Sequence, residues 1–147
     1  MPMRKSYFLS AVLGFALVAG GCAVSKTDSA APLAGKWHVD YIEGRGVVDY
    51  SPAHYQFGDD MTLSGNASCN RFNGTYRMEE GAIVVGELAT TRKLCPRALM
   101  EQERRFLAAL KRAHSWKSDK GLMYLYDDQG VELFRGARWN DGGDKAP

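Results

Sequence analysis

The chain has 147 residues, 45% of them hydrophobic and 24% charged, with 19 basic side chains against 17 acidic. That composition belongs to a globular chain with room for one domain, and neither a repeat nor a low-complexity block interrupts it. Setting residues 1–21 aside removes Arg4 and Lys5 and no acid, leaving 17 basic against 17 acidic groups; a neutral domain without basic clusters offers no counterion-release term, which excludes nucleic acid as the main partner.

Residues 1–21 read as an export signal. Arg4 and Lys5 make a positive start, and Tyr7 to Ala19 is an apolar run shorter than the roughly 20 residues of a membrane span. Ala19-Gly20-Gly21-Cys22 resembles the lipobox of bacterial lipoproteins, in which the cysteine becomes the acylated N-terminus; it departs at Ala19, where leucine is commoner. The alternative is cleavage by the ordinary signal peptidase, which leaves a soluble secreted protein. Cys22 is thus the expected lipidation site, and two or three acyl chains hold a protein at a membrane where one is marginal. Ala23 lacks the aspartate that retains lipoproteins at the inner membrane, so the expected address is the outer membrane, facing the periplasm. Residues 22–32 are small and polar and form a tether.

The domain starts at Leu33 and is expected to end near residue 138. Trp37, Val39 and Tyr41 alternate with Lys36, His38 and Asp40, the period of a half-buried strand. Tyr55–Phe57 and Met61–Leu63 flank Gly58-Asp59-Asp60 as a hairpin. A strand follows through Phe72, Gly74, Tyr76 and Met78, with Gly74 marking a bulge. Glu79-Glu80-Gly81 turns the chain into Ala82–Val85, and Leu88–Cys95 is read as a further strand. From Pro96 to His114 the period becomes helical, with Leu99, Met100, Phe106, Leu107, Leu110 and Ala113 on one face and Pro96 in the first turn. Segments 115–117, 122–126 and 131–135 make two more hairpins, and residues 139–147 read as a frayed tail. The expected class is mainly β: a small antiparallel barrel or rolled sheet of about eight short strands with one amphipathic helix over an open end or edge.

Of three cysteines, Cys22 is assigned to lipid, which leaves Cys69 and Cys95 as an even pair in a disulfide-permitting compartment. A bond between them would constrain a loop worth about 3–4 kcal/mol. The competing reading makes Cys95, just before a helix start, a reactive thiolate.

Leu33-x-Gly35-x-Trp37, Cys69-Asn70-Arg71-Phe72-Asn73-Gly74-x-Tyr76, Leu88–Cys95 and a helix containing Glu101 and Phe106 occur in an order that resembles the META domain, or HslJ-like, family. The resemblance spans Leu33 to Arg138. It implies a lipocalin-like barrel with one helix in bacterial envelope proteins, linked to heat shock and to novobiocin tolerance, with no established enzymatic activity.

Asn70, Arg71, Asn73, Thr90, Thr91 and Arg92 could form a polar patch that binds a carboxylate or glycan through an arginine, or could satisfy backbone groups where strands bend. His38, His54 and His114 are far apart in sequence and read as surface histidines, so no metal site is expected. Asp59-Asp60 and Asp127-Asp128 read as turn residues rather than an acid–base pair. No catalytic residue and no cofactor is expected. Three functions follow: a monomeric, non-enzymatic envelope lipoprotein acting in stress tolerance through protein contacts, a barrel holding a small apolar ligand, or a thiol-active protein using Cys95.

Overall fold

The computed structural model describes residues 33–140; the signal segment, Cys22, the tether up to Pro32 and residues 141–147 lie outside the described residues. Its elements are β1 (Gly35–Ile42), β2 (Arg45–Gly46), β3 (His54–Phe57), β4 (Thr62–Asn66), β5 (Arg71–Glu79), β6 (Ala82–Thr90), α1 (Arg97–Lys111), β7 (Ser115–Asp119), β8 (Leu122–Tyr126) and β9 (Glu132–Arg138). Eight strands lie antiparallel in the order β6-β5-β4-β3-β1-β9-β8-β7, and the two-residue β2 adds to β1.

Alternation along the strands decides which face turns inward. Trp37 and Val39 of β1, Tyr55 and Phe57 of β3, Leu63 of β4, Phe72 and Tyr76 of β5, and Met123 and Leu125 of β8 are all buried. Their sequence neighbours point away from the core, as the pleat requires. The turns carry the chemistry expected of them. Asp60 Oδ1 accepts from the Thr62 N–H and hydroxyl, and Asp127 Oδ1 accepts from the N–H groups of Gln129 and Val131. Glu80-Gly81 and Lys120-Gly121 both hold positive φ angles, the geometry that matches a tight turn to the right-handed twist of its strands.

The sheet curls around α1. Phe106 of the helix meets Phe72 of β5 at 5.6 Å and Phe134 of β9 at 5.0 Å, two strands well separated in the sheet order. Between the terminal strands the Ile83 N–H bonds the carbonyl of His114, the residue just before β7. The result is a rolled sheet whose ends touch at a point rather than a ladder-closed barrel. Each large apolar side chain buried this way contributes about 1.5–3 kcal/mol.

Three local expectations are corrected. Residues 82–90 form one continuous strand, because a register shift between Gly74 and Tyr76 lets β6 stay paired with β5 throughout; residues 91–95, read as strand, are not. The helix starts after Pro96, which caps it, and buries Gln102, Phe106, Ala109 and Leu110, whereas Leu99, Met100 and Leu107 are only partly covered. Trp139, assigned to the tail, docks instead: its N–H bonds the Lys36 carbonyl and its ring lies against His38 and His54.

Candidate functional site

The corner at Cys69 is built from β4 outward. Beyond Asn66 the chain turns sharply, with the Ala67 N–H on the Asn70 carbonyl and the Ser68 N–H on Asn66 Oδ1. Ser68 adopts φ 132°, a strained value for a residue with a side chain. What holds it is Gln102 of α1, whose amide NH2 donates to the hydroxyls of Ser51 and Ser68 while its oxygen accepts the Val48 N–H. This buried glutamine ties two loops to the helix. Sequence reading missed it, because a lone polar residue on an amphipathic helix is taken for a solvated one.

Asn70 completes the clasp. Its Nδ2 donates to Glu103 Oε1 at 3.0 Å and to the Lys93 carbonyl at 3.3 Å; its Oδ1 accepts from the Thr91 hydroxyl at 2.8 Å and the Lys93 N–H at 2.7 Å. The Asn70 N–H also reaches Glu103 Oε2. A primary amide has two donors and two acceptor lone pairs, so nothing is left for a ligand. Cys69 and Cys95 are joined by a disulfide, S–S 2.02 Å, beside this network. The thiol-active reading of Cys95 is thereby corrected: a sulfur committed to a bond is not a free thiolate.

The remaining patch residues divide by face. Strand register places Lys36, Gln56, Ser64, Asn73 and Ala89 in one cross-strand row and His38, His54, Asn66 and Arg71 in the next. Both rows lie on the side opposite Trp37, Tyr55, Leu63 and Phe72, hence outside the curl. Lys36, His54, Ser64, Arg71, Asn73, Thr90 and Thr91 line a cleft of about 590 Å³. The structure thus brings Arg71, Asn73, Thr90 and Thr91 together, places Asn70 in the clasp and leaves Arg92 exposed outside the cleft.

Electrostatics in this cleft is one-sided. Its lining contains no carboxylate. Lys36 Nζ sits 3.8 Å over the Trp139 ring, a cation–π contact. Burial pushes the His54 imidazole below its ordinary pKa, a hydrogen bond with the Pro52 carbonyl opposes that, and the charges of Lys36, His38 and Arg71 push it down further. The histidines far apart in sequence prove to be cross-strand partners, His38 opposite His54, though among the described residues no group of histidine, cysteine and carboxylate side chains could hold a metal.

Among the described residues the interior is packed with aromatic side chains. Trp37, Tyr55, Phe57, Phe106 and Phe134 fill it, with rings in edge contact at 4.9–5.6 Å among Tyr55, Phe57, Tyr76, Phe106 and Phe134. The alternative of an apolar ligand inside the barrel or at its mouth meets an interior packed by its own aromatics. One polar atom there, the Tyr55 hydroxyl, has no hydrogen-bond partner, and burial drives its pKa far upward. A larger cleft of about 1060 Å³ runs along His38, Asp40, Tyr41 and residues 46–51 to Leu122 and Arg135, with mixed charge.

The META domain family model matches residues 31–138. The heat shock protein HslJ of Escherichia coli strain K12 is 29% identical over 91 residues, which cover 59% of this chain and 64% of that protein, just under two thirds of its length. A protein from Burkholderia xenovorans solved by NMR superposes with a TM-score of 0.61 at 21% identity, covering 95% of this chain and 99% of its own, a likeness of fold. Another NMR structure aligns at TM-score 0.55 and 25% identity over 70% of this chain and 88% of its own.

Proposed function

The chain belongs to the META domain family, and from that premise we propose that it is a non-catalytic module of the bacterial cell envelope, lipid-anchored through Cys22 and supporting stress tolerance through contacts with another envelope protein. The observation that carries this reading is the occupied interior: aromatic side chains fill the curl and a saturated network fills the Cys69 corner, so the outer surface is what remains for function. The address draws on Arg4, Lys5, the apolar run and Cys22, and on a disulfide that suits an oxidising compartment. The stress context draws on the name of the E. coli relative.

The test is done in cells. Metabolic labelling with palmitate is expected to mark the wild-type protein in the outer-membrane fraction and to miss Cys22→Ser. Crosslinking in intact envelopes followed by mass spectrometry is expected to recover one recurrent protein partner, and a strain lacking the gene is expected to grow less well with novobiocin or heat until the wild type is restored. An unlabelled, freely soluble wild-type protein would sink the anchor, and an unaltered tolerance in the deletion strain would sink the role.

A further inference from the structure

We propose that the outer-face cleft between Lys36, His54 and Arg71 binds a phosphomonoester, the dianionic group presented by a phosphorylated sugar or by a phosphate lipid headgroup. This goes beyond the envelope reading and is independent of it. Two fixed cations, Lys36 and Arg71, enter the cleft from β1 and β5, and no acid lines it. Among the described residues Arg71 has no carboxylate partner, as is also true of Arg45, Arg92, Arg97, Arg105, Arg135 and Arg138, whereas Arg77, Arg104 and Arg112 are each paired with a glutamate; Arg71 is the arginine that lines this cleft. A guanidinium with free forked donors is the side chain suited to phosphate oxygens.

The other lining groups match an anion rich in acceptors. Ser64 carries a hydroxyl and Asn73 an amide, which with Lys36 and Arg71 supply more donors than the two oxygens of a carboxylate can use, while Thr90, paired with Phe72, borders the cleft with its side chain on the other face. A phosphomonoester brings three oxygens and about −1.5 to −2 charge, close to the formal +2 of the two fixed cations. Trp139 holds Lys36 against its ring and packs on His38 and His54, so the Lys36 and His54 side of the cleft is ordered before a ligand arrives. The volume, about 590 Å³, admits one sugar ring with its phosphate.

His54 supplies the internal reporter. The groups facing it are Lys36 and His38 of β1, Arg71 of β5, the Trp139 ring and the Pro52 carbonyl, and all three charges are positive or become so. A dianion among them offsets that field and raises the His54 pKa, so binding is accompanied by proton uptake.

The experiment is a titration of the full chain, followed by NMR of backbone amides and histidine rings, with glucose 6-phosphate, glucose, acetate and inorganic phosphate. Saturable shifts at Ser64, Arg71, Asn73 and Thr90 with glucose 6-phosphate, an upward move of the His54 pKa, and about tenfold weaker binding in Arg71→Gln are expected. Phosphatidic acid vesicles set against phosphatidylcholine vesicles separate the sources: capture by phosphatidic acid alone, without response to soluble phosphate esters, assigns the group to a lipid. Arg71→Gln should melt like wild type, since Arg71 is exposed. Equal response to acetate, shifts that do not saturate, or full affinity in Arg71→Gln would overturn the proposal.

Discussion

Asn70 and Arg71 are adjacent in the chain and opposite in use. One amide is spent entirely on Thr91, Lys93 and Glu103, while the next guanidinium stands in an open cleft. The sequence shows both as polar residues beside a cysteine, and the end of the bend separates them: Asn70 belongs to the turn after β4, whereas Arg71 is the first residue of β5 and takes its outer face. Gln102 was legible in principle: it falls three residues after Leu99 and four before Phe106, inside the apolar stripe rather than opposite it. Gln102→Ala is expected to lower unfolding free energy by about 2–3 kcal/mol in urea titration, since it strips partners from Val48, Ser51 and Ser68. An unchanged midpoint would mean that those groups find other partners. His54 gives a pH signature. Its folded pKa lies below the unfolded value of 6.5, so the unfolded chain binds its proton first. Stability is therefore full above pH 6.5 and falls as pH drops through the window below it. His54→Gln is expected to flatten that part of the stability profile, and an identical slope in the variant would assign the loss to other groups.

At the level of elements, the helix is fastened to the sheet by three different means. Phe106 plugs the curl, Gln102 and Glu103 grip the loops at Ser51 and Asn70, and the Cys69–Cys95 bond pins the segment leading into α1. The disulfide closes a separation of 26 residues. Replacing both cysteines by serine is expected to cost about 3 kcal/mol and to lower the melting temperature by roughly 12–20 °C. A shift of only a degree or two would show that the hydrogen-bonded clasp holds the corner without the bond. Strands, hairpins and the helix were readable because each has its own period and its own turn residues. Where β6 ends was not, since Leu88–Cys95 is as strand-like in composition as Ala82–Val85; the strand register with β5 ends at Thr90, Thr91 makes a last backbone bond to the Arg71 carbonyl, and its hydroxyl turns to Asn70.

For the whole molecule, the rolled sheet and its helix make a body whose inside is spent on packing and whose outside, among the described residues, carries a cationic cleft, a larger groove of mixed charge and further shallow clefts. The motif that signals the family is therefore architecture on one side and available surface on the other. Family and class were legible from motif order and alternation, and so was one side of the cleft, Arg71, Asn73, Thr90 and Thr91; Lys36 and His54 were not, because they join it from two other strands across the sheet. That division is tested most directly by the unfolding free energies of Asn70→Ala and Arg71→Ala, measured side by side by urea denaturation. The expected result is a loss of about 2–3 kcal/mol for Asn70→Ala and less than about 0.5 kcal/mol for Arg71→Ala. Equal losses, or a larger one at Arg71, would contradict the assignment of the buried corner to structure and the outer face to binding.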